Sequence, residues 1–269
     1  MPAFVFVSGY LYSFNLLGGG KYKNNKKFIE GKCKRLLLPY LIWGVFLLLI
    51  MPQRYELSMM FQGISHLWFL LMLLGVFLVA HFTKNWWKTY TWKQDVLAIA
   101  VLYALYLAYK YSHLPSILCF IKIVQYLPFF FVGIFCYKHG FGFPKKPLYT
   151  LLSCLCLLLF LQVYQIPHIS MVLSNVLGIL TVVSLCKIYI SLKDNFNSKY
   201  LLNLDKCGMG IYIIHHILIM LLLQHRSFCE LMDTHYLIMP IILFILVFPV
   251  SWFLAYCILK IKCLKFILG

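Results

Sequence analysis

Apolar residues in this chain gather into long runs, at residues 2–17, 36–51, 66–83, 96–110, 117–137, 148–166, 170–190, 208–224 and 236–259, with short polar segments between them. A helix needs roughly 17 to 25 such residues to cross hydrocarbon, where lipid offers backbone N–H and C=O groups no partner and the helix satisfies them internally. The runs therefore predict an all-α polytopic membrane helix bundle of about nine spans, with 2–17 and 96–110 the weakest. Turn residues mark the connections, among them Gly18-Gly19-Gly20 and the stretch Pro144-Lys145-Lys146-Pro147. No long linker, low-complexity tract or internal repeat interrupts the pattern, so residues 1–269 read as a single transmembrane domain.

Composition excludes the soluble alternatives. With 63% hydrophobic and 12% charged residues and a mean hydropathy of +0.87, the apolar surface is too large to bury in one water-soluble core. The net charge of +17 does not signal nucleic acid, because no basic block is joined to a module able to read a groove or stack bases. Topology accounts for it instead. Seven basic residues lie between Lys21 and Arg35, and further ones fall at Lys84, Lys88 and Lys93, at Lys138, Lys145 and Lys146, at Lys187, Lys193, Lys199 and Lys206, and at Lys260, Lys262 and Lys265. The alternate connections hold only Arg54, Lys110 and Arg226, while Lys122 sits inside a run, where its long stem can reach an interface. Short cytoplasmic loops retain positive charge, so the basic side and the C-terminus are expected in the cytoplasm of a cell membrane, inner or plasma, crossed many times.

This orientation leaves Met1 outside, ahead of a first run with neither the basic flank nor the cleavage site of a signal peptide. The expectation is that one further span precedes this chain, making ten with both ends inside. The ten cysteines sit mostly alone within apolar runs, without C-x-x-C spacing or histidine partners, and read as small packing residues.

Four strings carry more than hydropathy: Pro2-Ala3-Phe4-Val5-Phe6-Val7-Ser8-Gly9-Tyr10-Leu11, Lys32-Cys33-Lys34-Arg35-Leu36-Leu37-Leu38-Pro39-Tyr40, His66-Leu67-Trp68-Phe69-Leu70 and Gly210-Ile211-Tyr212-Ile213-Ile214-His215-His216. In this order and spacing the chain resembles, over essentially its whole length, the integral membrane acyltransferases of the acyltransferase 3 family. The resemblance implies a ten-span fold that takes an acyl group, commonly acetyl, from cytoplasmic acyl-CoA to a hydroxyl of a cell-surface or envelope carbohydrate. It also implies a first span bearing a basic residue and a catalytic histidine, and this sequence begins where the second span would begin. Charge topology and resemblance thus point to the same absent helix, and the chain as it stands is expected to be nearly inactive.

Tyr212, His215 and His216 fall at i, i+3 and i+4 and share a helix face, with His215 roughly 10 Å into the membrane at about 1.5 Å per residue. Titratable groups at that depth need a polar cavity or a partner. They serve either as interhelical hydrogen-bonding groups or as the lining of a substrate cavity, and the resemblance favours Tyr212 and His215 for catalysis. His66 stands at the outer end of the third run, where histidine and tryptophan are common interfacial anchors; the resemblance raises it to a catalytic candidate, and its position near the outer face would suit contact with the acceptor. Lys32, Lys34 and Arg35 lie at the cytoplasmic mouth, either as plain positive anchors or as the site for the phosphates of acyl-CoA. Asn175 is read as a bond to a neighbouring helix, and Gln125 lies three residues from Lys122 on the fifth run.

No Ser-His-Asp spacing, H-E-x-x-H string or glycine-rich phosphate loop is present. An activated thioester requires no metal, so acyl-CoA is the one cofactor expected. Membrane lipid and a carbohydrate acceptor are the expected partners. The rival readings are a secondary transporter, whose broken helices would also carry midplane polar residues, and a membrane protein without chemistry.

Overall fold

The computed structural model describes residues 1–20, 22, 24–111, 119–141, 144–164, 169–192, 198–235 and 238–269. Lys21, Lys23 and Lys193 of the predicted basic segments and residues 117–118, 165–166 and 236–237 of the predicted runs lie outside them, as do the side chains of Lys110 and Lys199. Among the described residues there is no strand. The α-helices are α1 Pro2–Ser13, α2 Asn25–Lys32, α3 Leu38–Ile50, α4 Met59–Gln62, α5 Trp68–Phe82, α6 Lys84–Thr89, α7 Trp92–Tyr111, α8 Phe120–Lys138, α9 Pro147–Tyr164, α10 Ile169–Leu192, α11 Ser198–Leu222, α12 Arg226–Thr234 and α13 Met239–Lys260.

Each predicted run falls on one of these helices. Asn25–Ile50, Met59–Phe82, Phe120–Lys138, Leu173–Ser191 and Met239–Lys260 are long and apolar enough to cross a membrane, and Pro147–Leu158 and Lys206–Leu222 are shorter apolar helices. The two weakest runs fall on α1 and α7. Large apolar side chains point outward from the helices, as at Phe244, 65% exposed, and Leu97, also 65% exposed, which is favourable only against hydrocarbon. The chain is an all-α multi-pass membrane protein.

Two boundaries differ from the pattern. The basic stretch before the second span is helical, running through α2 into a π-helical turn, Cys33–Leu37, and on into α3. Pro39 explains the wide turn: its ring would collide with the carbonyl of Arg35 in a regular helix and it has no N–H to offer that oxygen. The third span begins at Met59 rather than at residue 66, because α4 already belongs to it and a break at residues 63–67 separates α4 from α5.

The described residues form two compact units. The first comprises Met1–Ile29 and Gly75–Phe196. In it α1 crosses α8 at backbone contact: a Cβ on Gly9 would stand 2.1 Å from the Phe130 carbonyl oxygen, and one on Gly133 would stand 2.1 Å from that of Phe6. Small residues allow this approach, the usual device for packing helices where no hydrophobic drive exists between them. Asp95 accepts from Lys138 Nζ at 2.8 Å and pairs with His139 Nε2 at 2.7 Å, tying the start of α7 to the end of α8. The second unit comprises Glu30–Leu74 and Asn197–Gly269. Here α11 packs on α13, with Gly210 against Ala255, and Trp43 on α3 donates to the carbonyl of Ile267 at 3.0 Å.

Candidate functional site

The break between α4 and α5 is the most unusual backbone of the second unit. Gly63 has φ +99° and Ser65 has φ +46°, two left-handed residues within three positions, followed by a single 3-10 turn, Ser65–Leu67. A broken helix frees backbone groups that lipid cannot satisfy, and two tyrosines supply partners. Tyr40 Oη on α3 donates to the Met60 carbonyl and accepts from the Ile64 N–H at 3.4 Å. Tyr212 Oη on α11 donates to the carbonyl of His66.

These bonds locate the break along α3. Tyr40 lies five residues beyond Arg35, and Met60 and Ile64 both pack on Gly44. At about 1.5 Å per residue the break is therefore level with the stretch roughly 8 to 14 Å along the helix from Arg35, not beyond the far end of α3 at Ile50. His66, expected at the outer end of its span, is inside it, because the span starts seven residues earlier.

Three histidines meet there. The His66 ring lies 4.1 Å from that of His216 and 6.4 Å from that of His215, with the Tyr212 ring at 5.6 Å. Among the described residues neither buried ring nitrogen of His66 has a hydrogen-bond partner at good geometry, the Ile213 backbone being the polar group that bears on the ring. His215 Nδ1 lies 2.8 Å from the carbonyl of Ile211, one turn back. A carbonyl only accepts, so Nδ1 carries the proton, and in the neutral ring Nε2 is then the nitrogen with the lone pair. His216 Nε2 lies 3.3 Å from Ser65 Oγ, which is also 3.5 Å from Met220 Sδ. Beside the cluster a pocket of 460 Å³ opens between α11 and α13, lined by Tyr212, His215 and Ile219 on one helix and Pro240, Phe244 and Phe248 on the other. Among the described residues no group of three His, Cys, Asp or Glu side chains is placed to hold a metal ion.

His66, Tyr212 and His215 thus come together, joined by His216 from the same helix face. Lys34 and Arg35 are exposed on the π-helical turn and Lys32 is half-buried just before it, apart from the histidines but on the helix that leads to them. Ser65 is a participant that the hydropathy pattern does not single out, since a span drawn from residue 66 cuts it away. The signal that could have found it is the polar interruption Gln62-Gly63-Ile64-Ser65 inside an otherwise apolar stretch.

The first unit holds a separate polar cluster. His81 Nδ1 lies 3.1 Å from Tyr12 Oη and its Nε2 lies 3.1 Å from Asn25 Oδ1, with Phe28 stacked on the ring at 4.0 Å. Lys84 donates to the same Asn25 oxygen, and burial, followed by the charge of Lys88, lowers its pKa from the ordinary lysine value. Every ring position of His81 is filled, which suits a fastening of α5 to α1 and α2.

Fold and cluster together define a polytopic helical membrane protein with a broken span that presents histidines at membrane depth. Comparison with known families narrows this: the family model described as an acyltransferase domain matches residues 1–259, and the chain belongs to the acyltransferase 3 family. It is a membrane acyltransferase. No curated protein and no solved structure matches the chain.

Proposed function

We propose that the protein moves an acyl group, acetyl in the simplest case, from cytoplasmic acyl-CoA to a hydroxyl of a cell-surface or envelope carbohydrate. The observation that carries this reading is the placing of His215, whose Nδ1 is engaged by the Ile211 carbonyl so that Nε2 is the nitrogen left to act as a base, beside a pocket in a member of an acyltransferase family. In the reaction His215 Nε2 takes the proton of the acceptor hydroxyl as its oxygen attacks the thioester carbonyl. Tyr212 and His66 hold the broken span against α11, and Tyr212 lines the cavity. Lys32, Lys34 and Arg35 bind the phosphates of the donor as charge-assisted partners, and the roughly 8 to 14 Å along the helix from Arg35 to the break suits the pantetheine arm of CoA. The basic loops and the C-terminus face the cytoplasm, where the donor is made.

Membranes containing the protein expressed with a preceding first span, given acetyl-labelled CoA and envelope polysaccharide, should pass label into alkali-labile esters of the carbohydrate. His215→Ala should lower this rate by about 10² to 10⁴-fold, the usual contribution of a general base, without changing the amount of protein in the membrane. An unaltered rate would remove His215 from the chemistry.

A further inference from the structure

The pair formed by Ser65 and His216 has no part in direct transfer from donor to acceptor, yet it has the geometry of an activated nucleophile. The serine oxygen stands 3.3 Å from an imidazole nitrogen, within reach for proton transfer once a substrate closes the site. Its other neighbour, the Met220 sulfur at 3.5 Å, is a weak acceptor and competes poorly for the hydroxyl proton. The backbone that carries it is unusual as well. Ser65 is held at φ +46° although it is not glycine, next to a helix break pinned by two tyrosine hydroxyls. Left-handed non-glycine residues over-determined by their surroundings cluster at active sites, where the strain aims a side chain. Finally, His216 is backed by the His66 ring at 4.1 Å, which keeps its nitrogen turned toward the serine.

We propose that Ser65 accepts the acyl group as an ester before the acceptor receives it, with His216 as its base; this rests on the acyl-CoA transfer reading given above. In the first half-reaction His216 Nε2 takes the Ser65 hydroxyl proton while Oγ attacks the thioester carbonyl carbon. The C–S bond breaks, and the departing sulfur takes that proton back from His216 and leaves as the CoA thiol. In the second half-reaction the acceptor hydroxyl gives its proton to His215 as its oxygen attacks the ester carbonyl. The bond between the carbonyl carbon and Ser65 Oγ breaks, and the serine oxygen recovers a proton through His215. No metal, oxidant or further co-reactant enters. The two histidines at consecutive positions of α11 then have separate tasks, His216 in acylation and His215 in release, and the donor can depart before a bulky carbohydrate arrives.

The test uses the full chain in its membrane with acetyl-labelled CoA and no acceptor, quenched in acid. A serine ester survives acid, whereas an acyl-imidazole does not. Wild-type protein should retain label on the peptide containing Ser65 and lose it when acceptor is added. His216→Ala should slow labelling at least 100-fold, while His215→Ala should label and fail to discharge. Ser65→Gly separates chemistry from folding: glycine adopts φ +46° without strain, so this variant should be at least as thermally stable as wild type and should neither label nor turn over. Wild-type transfer without acid-stable label, or Ser65→Gly with an undiminished rate, overturns the serine ester and leaves direct transfer standing. If the wild-type protein moves no acyl group from CoA to the chain or to any hydroxyl, the parent reading falls with it.

Discussion

Tyr40→Phe is the sharpest probe of the broken span. It deletes one oxygen and keeps a ring that is 2% exposed, so the packing around it is nearly conserved. The oxygen serves two backbone groups, the Met60 carbonyl and the N–H of Ile64, a residue with no exposed surface. The Ile64 contact is long at 3.4 Å and weak by itself, but without it that amide is buried with no other acceptor beside it among the described residues. Leaving a buried backbone group unsatisfied costs about 1–3 kcal/mol, and interhelical hydrogen bonds in membranes average about 0.6 kcal/mol because the unfolded chain finds other partners. The expected loss is therefore about 1–3 kcal/mol, or a fall in Tm of about 2–12 °C at 2–4 °C per kcal/mol. The assay is thermal unfolding in one detergent at one scan rate, since membrane proteins unfold irreversibly and the midpoint depends on the rate of heating. Tyr149→Phe is the control, because its ring is 68% exposed and loss of its oxygen should stay within about 0.5 kcal/mol. Acyl transfer should fall alongside stability, as residues 65 and 66 lose their anchor to α3. If Tyr40→Phe melts with the control and transfers at the wild-type rate, the tyrosine does not hold the break.

Other consequences can be checked separately. Gly133→Leu drives a side chain into the Phe6 carbonyl, where even a Cβ would stand at 2.1 Å; forcing α1 from α8 should cost about 3 kcal/mol or more, read as a lower Tm and poorer monodispersity on gel filtration. Arg35→Ala and Lys34→Ala should each raise the KM for acyl-CoA about 10-fold with kcat little changed, the pattern of lost uniform binding, and added salt should shrink the difference. Reporter tags at Lys88 and Lys145 should signal cytoplasm and tags at Arg54 and Arg226 the exterior; a cytoplasmic signal at Arg226 would overturn the orientation drawn from charge.

The architecture was legible in sequence because its cause is local. Hydrocarbon demands internally satisfied backbone, so apolar runs of sufficient length become helices wherever they occur, and α8, α10 and α13 fall on the predicted runs within a few residues. Tyr212, His215 and His216 could be grouped because helical spacing alone puts them on one face. The family too was readable from four strings, none of which depends on long-range contact.

What the tertiary structure decided is which residues meet. His66 and His216 are 150 positions apart, and no periodicity indicates that their rings meet. The break at residues 63–67 leaves a faint trace in the polar positions Gln62, Gly63, Ser65 and His66, which reads as well as the end of a loop before a span that starts at residue 66. It survives only because Tyr40 and Tyr212, from two other helices, supply partners for its freed backbone. A span can be read from the solvent its own side chains prefer, whereas a break within one depends on hydrogen-bonding groups brought from elsewhere in the chain, and only the packed fold brings them.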